Sequence, residues 1–300
     1  MEKLEQLEVG HVVLEEISDN IGKLQFLRIL KLQPTRISAL PQLPESLITL
    51  CFHSYSMKML PDLSNLLNLR TLDLHLGRQP EDPPILEEAP SDWWIGRLRM
   101  LEELYLSCLD ITTLSSDIVF LSQLKRLELS CDNLQCLPRL PSNLSSLLIG
   151  GSSSLKTTGD LSYLKSLSDL TVMRCDQLTE IQGLEGLENL ISLELNELSS
   201  LVELPDLTNL KKLKKIHLTY CRKLSEIRDI PKSLEMLEIG DYSKLQLLPD
   251  LSNLKKLKTI HLWDCDELFE LRGVPELLQI LEIVGCFKPQ ELPDCHVTRI

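Results

Sequence analysis

Aromatic side chains are scarce. Trp, Tyr and Phe together make up 4% of the 300 residues, so any interior must be built from aliphatic groups. Positive charge is outnumbered, with 31 Lys and Arg against 44 Asp and Glu and a formal net charge of −13. That balance argues against a nucleic-acid backbone as partner, because affinity there comes from counterions released by Lys and Arg. No uninterrupted apolar stretch approaches the roughly 18 residues of a membrane span. The first ten residues, with Glu2, Glu5 and Glu8, have neither the basic start nor the apolar run of a secretory signal. No Gly-x-x-x-x-Gly-Lys-Ser/Thr phosphate loop occurs. Nine cysteines form no Cys-x-x-Cys pair, and an odd set at these spacings reads as reduced thiols of a cytosolic protein. The Asn143-Leu144-Ser145 sequon is weak contrary evidence, since that tripeptide arises by chance about once in such a length.

What the chain has in abundance is leucine at fixed intervals. The pattern Leu-x-x-Leu-x-Leu places apolar pairs at Leu7/Val9, Leu30/Leu32, Leu50/Phe52 and onward to Leu281/Ile283, thirteen in all. Successive pairs lie 20 to 23 residues apart, with a single step of 32. Such spacing is that of leucine-rich repeats. Alternation at each pair, as in Ile260-His261-Leu262-Trp263, predicts a short strand with one face buried. Upstream, Leu251-x-x-Leu254-x-x-Leu257 has the spacing of a helical or 3₁₀ turn. Four short repeats replace that turn with a proline segment, such as Leu43-Pro44-Glu45-Ser46-Leu47. The 32-residue step holds a Pro- and acid-rich insertion, residues 77–94, which Trp93 and Trp94 are expected to pin to the surface.

The predicted fold is therefore an α/β repeat solenoid: a leucine-rich-repeat horseshoe of about 13 repeats. A parallel β-sheet is expected on its concave face and short helical or irregular turns on its convex face. Residues 1–300 form one repeat domain in this reading. No polar cap is recognisable before Leu4 or after Ile283, and end repeats need one, so the chain reads as a piece of something longer.

The wording Leu-x-Leu-x-x-Cys-x-x-Leu-x-x-Leu-Pro, seen over Leu193 to Pro205, Ile216 to Ile227 and Ile260 to Leu271, resembles the repeat of plant intracellular immune receptors. The Leu-Pro-Asp-Leu-Ser-Asn-Leu run at Leu60 to Leu66 adds to the likeness. The resemblance is closest to the C-terminal repeat domain of nucleotide-binding leucine-rich-repeat receptors of the Toll/interleukin-receptor-like class, and it covers nearly all of the chain. It implies plant disease resistance. The partner would be a pathogen effector, a guarded host protein or another domain of the same receptor, and the repeats would regulate a nucleotide-binding switch. It also implies a cytoplasmic place, with the nucleus as a second compartment.

Exposed strand positions should form columns, with neighbours about 4.8 Å apart. One column reads Glu194, His217, Glu238, His261, Glu282. His217 and His261 lie two strands apart, roughly 10 Å, too far to share a metal ion. Beside them stand Met173, Arg174, Asn196, Thr219, Tyr220, Asp241, Trp263 and Asp264. Tyr, Trp and Arg are the residue types that carry binding energy at protein interfaces. This face is the expected protein-binding site, and replacing Tyr220 and Trp263 together by Ala is expected to abolish binding with little change in stability. Cys175, Cys221, Cys265 and Cys286 share one repeat slot and Cys108 and Cys131 a neighbouring one, which reads as a small packing group. The Cys-Asp pairs admit a thiol-nucleophile reading, as in bacterial ubiquitin ligases with similar repeats, but repetition at one slot argues for register. Lys211, Lys212, Lys214 and Lys215, echoed by Lys255, Lys256 and Lys258, read as a solvated edge or a docking stripe. No enzyme, cofactor or metal site is expected, and neither nucleic acid nor membrane is an expected partner. The substrate-recognition arm of a ubiquitin ligase and a signalling scaffold are the alternative functions.

Overall fold

The computed structural model describes residues 3–10, 13–57, 60–77, 94–108, 111–241, 244–268 and 271–286. Most of the 77–94 insertion, Trp93 included, lies outside the described residues. The chain divides into two compact units, Met1–Leu144 and Ser145–Ile300.

Both units are built the same way. The first contains β1 (Gln6–Gly10), β2 (Ile29–Thr35), β3 (Thr49–Ser54), β4 (Thr71–Leu76), β5 (Glu103–Cys108) and β6 (Arg126–Ser130). Within it each strand pairs in parallel with the next in chain order. The second contains β7 (Ser146–Gly150), β8 (Asp169–Met173), β9 (Ser192–Asn196), β10 (Lys215–Thr219), β11 (Met236–Gly240), β12 (Thr259–Trp263) and β13 (Ile280–Val284), paired likewise.

Each apolar pair of the repeat lies in one of these strands, and the register sets pair beside pair: Leu193 on Ile216, Ile216 on Leu237, Leu237 on Ile260. A period of two turns both members inward. From Leu30/Leu32 to Ile260/Leu262 every pair is buried, whereas Leu7, Val9, Leu281 and Ile283 at the outermost strands stay partly exposed. A repeat buries its apolar side only against neighbours on both sides.

Between strands, the outer turns tighten to 3₁₀ geometry at Asp19–Lys23, Trp94–Arg97, Ser116–Phe120 and Leu184–Gly186; no α-helix occurs among the described residues. Apolar residues three apart match three residues per turn, so a 3₁₀ turn keeps them on one side. Trp94 opens one such turn and is buried there with Ile95. In the Leu-Pro-Asp-Leu-Ser wording, the Asp carboxylate accepts a backbone N–H two residues on: Asp62 from Ser64 at 2.9 Å, Asp206 from Thr208 at 2.7 Å, Asp250 from Ser252 at 2.9 Å. These bonds, and at Asp206 first the hydroxyl that Thr208 donates at 2.6 Å, hold all three carboxyls below the ordinary range. In the proline repeats a serine ties the segment to the repeat before it, Ser46 Oγ donating to Leu27 O and Ser233 Oγ to Leu213 O, each at 2.7 Å.

Candidate functional site

The register of the second unit arranges the outward side chains of β8–β13 into three columns, and the predicted residues fall on two of them; the remaining column, Asp169, Ser192, Lys215, Met236, Thr259 and Ile280, starts the strands. The first of the two is Thr171, Glu194, His217, Glu238, His261, Glu282. Glu238 bridges both imidazoles: His217 Nδ1 lies 2.7 Å from one carboxylate oxygen and His261 Nδ1 3.0 Å from the other. His261 Nε2 lies 3.6 Å from Glu282. Burial alone would push the Glu238 carboxyl up, but the two imidazole hydrogen bonds outweigh it and leave it below its ordinary value.

The second column is Gly150, Met173, Asn196, Thr219, Gly240, Trp263, Val284. At Gly240 a side chain is replaced by a neighbour's. A Cβ there would sit 1.9 Å from Trp263 Cε2 and Nε1, so the indole lies flat across the glycine toward Thr219. Its ring centroid is 6.0 Å from that of His217, edge to face. Trp263 is therefore half-buried, not the free-standing aromatic that the sequence predicts, and Trp263→Ala removes packing as well as surface. Thr219 also departs from expectation. It keeps the outward alternation yet is only 4% exposed. Its Oγ1 and the Asn196 Oδ1 beside it are buried without a hydrogen-bond partner among the described residues.

A third row follows the strand ends. Arg174, Glu197, Tyr220, Asp241 and Asp264 all have φ between 50° and 57°, and Gly151 and Gly285 hold the same slot at 60° and 67°. All of these except Gly285, which follows the last strand, donate a backbone N–H to the following strand, as Tyr220 N does to Gly240 O at 3.1 Å and Asp264 N to Val284 O at 2.9 Å. The left-handed turn sends the chain off the sheet and leaves these side chains at its rim. Arg174 Nε pairs with Glu197 at 3.1 Å. A hydrogen bond to Asp241 and its charge push the Tyr220 phenol up. Glu197 belongs to this row and is absent from the sequence-derived set. Its signal was its place one residue past Asn196, as Tyr220 follows Thr219.

One residue further on lies the cysteine slot. Cys175, Cys221 and Cys265 are fully buried, and Ser152 occupies the same position with its Oγ on Gly150 O. Burial pushes the Cys175 thiol up to about 11. A thiol in that state is a packing group, which removes the basis of the nucleophile reading. The lysine stripe is spread over exposed turns: Lys214 and Lys258 both pair with Glu235, at 3.2 and 3.0 Å, and Lys212 reaches Asn189 at 2.6 Å.

The first unit carries a cluster that sequence reasoning missed. His53 Nε2 lies 3.0 Å from Asp73 and 3.2 Å from Gln33 Nε2, and the His53 and His75 rings are 5.3 Å apart. Tyr55 meets His75 edge to face. Burial, then the His53 charge, lowers the basicity of His75. The signal was the aligned column Gln33, His53, His75.

Parallel strands in register within each unit, a leucine-filled interior and 3₁₀ outer turns define a leucine-rich-repeat solenoid. No family model matches the sequence, and no curated protein does. Solved structures match in fold. Internalin InlF of Listeria monocytogenes strain 4b F2365 aligns with a TM-score of 0.60 at 20% identity, over 94% of this chain and 87% of its own. YopM of Yersinia enterocolitica WA-314 aligns with a TM-score of 0.60 at 22% identity, over 95% of this chain and 56% of its own. The functional domain of InlJ from Listeria monocytogenes, described as including a cysteine ladder, aligns with a TM-score of 0.60 at 19% identity, over 87% of this chain and 59% of its own. The chain thus spans little more than half of the YopM and InlJ chains.

Proposed function

We infer that the chain is a non-enzymatic protein-recognition module whose partner docks on the outward face of β8–β13. The observation that carries this reading is the left-handed row. Five side-chain-bearing residues occupy a conformation that glycine adopts with least strain, and glycine fills the same slot at Gly151 and Gly285. Each such residue costs on the order of 1 kcal/mol, and strain of this kind collects where side chains are used. Met173, Arg174, Glu194, Asn196, His217, Tyr220, Glu238, Asp241, His261, Trp263 and Asp264 contribute to that surface, with Thr219 beneath it. The biological setting we propose is plant disease resistance in the cytoplasm or nucleus. There the repeats would bind a pathogen effector, a guarded host protein or another domain of the same receptor, and regulate a nucleotide-binding switch. The repeat wording supports that setting.

The test is proximity labelling in plant cells, with and without a pathogen. It would compare the natural chain, a Tyr220→Gly/Asp264→Gly variant and a Lys211→Ala/Lys255→Ala variant. Glycine suits both rim positions, so the first variant should stay folded while losing partner labelling. The lysine variant should keep it. Labelling unchanged by the rim substitutions overturns the reading, and pathogen-independent labelling overturns the setting.

A further inference from the structure

The outward face of the second unit is strongly one-signed. Glu194, Glu197, Glu238, Asp241, Asp264 and Glu282 stand on its columns and rim, against two fixed cations, Arg174 and Lys215. Acidity alone names no ligand. A second observation does: Thr219, 4% exposed and at an outward position of β10, has no partner for its hydroxyl among the described residues, and the neighbouring Asn196 Oδ1 is equally unpaired. Buried polar groups are ordinarily satisfied, so two orphans side by side mark a place where something is to bind.

The cover over that place is identifiable. Gly240 leaves an empty position next to Thr219 in the register, and the Trp263 indole fills it. On its far side the ring meets His217 edge to face. No covalent or hydrogen-bonded tie from the indole is needed to hold it there, and rotation about its own χ1 takes it off the glycine. The notch so opened has Gly240 as its floor, two oxygen acceptors on one wall and the indole face on the other, with Glu238 and Asp241 at its mouth.

We propose that this notch takes an arginine side chain from a basic segment of a partner protein, with Trp263 as its hinged cover. Asn196 Oδ1 only accepts and the Thr219 hydroxyl can accept as well as donate, so a donor-only group satisfies both oxygens, and a guanidinium presents five N–H groups in a planar fork and accepts none. The indole offers the best π face for a cation. The surrounding carboxylates attract the basic segment and repel acidic ones. This inference rests on the proposed recognition role of the same face and narrows the partner's chemistry.

The full chain labelled with 5-fluorotryptophan gives one resonance for each of its three tryptophans, and Trp263→Phe assigns the one of interest. The probe is a capped peptide alternating arginine and serine, with citrulline and glutamate versions as controls. Titration with the arginine peptide should shift the Trp263 resonance and saturate, and the control peptides should leave it in place. Thr219→Val removes the orphan hydroxyl at equal volume. It should raise the melting temperature of the free chain while weakening arginine-peptide binding roughly ten-fold. An unmoved Trp263 resonance, equal binding of the citrulline peptide, or Thr219→Val binding as well as the natural chain each overturns the proposal. Loss of arginine selectivity with rim-dependent partner labelling intact sinks the notch alone and leaves the recognition face standing.

Discussion

His217 Nδ1 lies 2.7 Å from Glu238 Oε2, and because His261 Nδ1 takes the other oxygen at 3.0 Å, a single carboxylate on β11 orients two imidazoles on the flanking strands β10 and β12. The carboxyl is held below its ordinary value of 4.5 against the opposing effect of burial. A depressed carboxyl contributes stability that is fully present above its unfolded value and is lost as pH falls through the folded one. Glu238→Gln should therefore destabilise the chain at pH 7. The difference from the natural chain should shrink as the pH drops below about 4.5, when followed by urea unfolding at stepped pH. A difference that stays constant to pH 3 contradicts the bridge.

His75 carries the opposite charge type and the same slope. Burial and the neighbouring His53 lower its basicity from the ordinary 6.5, so the unfolded chain binds a proton more readily than the folded one. Stability in the first unit should fall as pH drops from above 6.5 through the folded value. His75→Gln should flatten that decline, read as the melting temperature between pH 8 and pH 5.

At the rim, substitutions should sort by backbone and not by chemistry. Tyr220 has φ of 55°. Tyr220→Gly should hold stability or raise it by up to about 1 kcal/mol, whereas Tyr220→Val should cost roughly 1–2 kcal/mol, because a β-branched residue fits the left-handed region worst. Chemical denaturation of the pair decides it. Equal effects would mean that the left-handed turn imposes no strain.

The thiols should divide by burial. Cys136 is exposed, while Cys175 is buried and pushed up to about 11. Iodoacetamide at pH 8, followed by peptide mapping, should modify Cys136 far sooner than Cys175, Cys221 or Cys265 in the folded chain. In denaturant the four should react alike.

All thirteen strands were legible in the amino-acid order, because a buried pair at Leu104/Leu106 or Leu237/Ile239 is a one-dimensional signal with a short period. The columns followed from the same register, so Glu194, His217, Glu238 and His261 were placed together correctly. What the order of residues did not reveal was lateral. Trp263 reads as exposed by alternation, and only the missing side chain at Gly240, 23 residues earlier in the chain, explains why the ring folds down over the neighbouring strand. The His53, His75 and Asp73 cluster escaped for a related reason: its members come from two adjacent columns, and a search down one column at a time does not join them. The left-handed rim shows in the sequence only as a spacing, four residues from the first core position to Cys131 and five to Cys175, Cys221 and Cys265.

That one extra residue per turn separates two duties that most positions in a protein combine. The main chain at Arg174, Glu197, Tyr220, Asp241 and Asp264 is committed to the next strand, while the side chain is committed to nothing inside. Exchanging any one of them for another residue that tolerates the left-handed turn alters what the surface says without altering how the stack holds together. Five such letters in a row amount to an address that can be rewritten one character at a time.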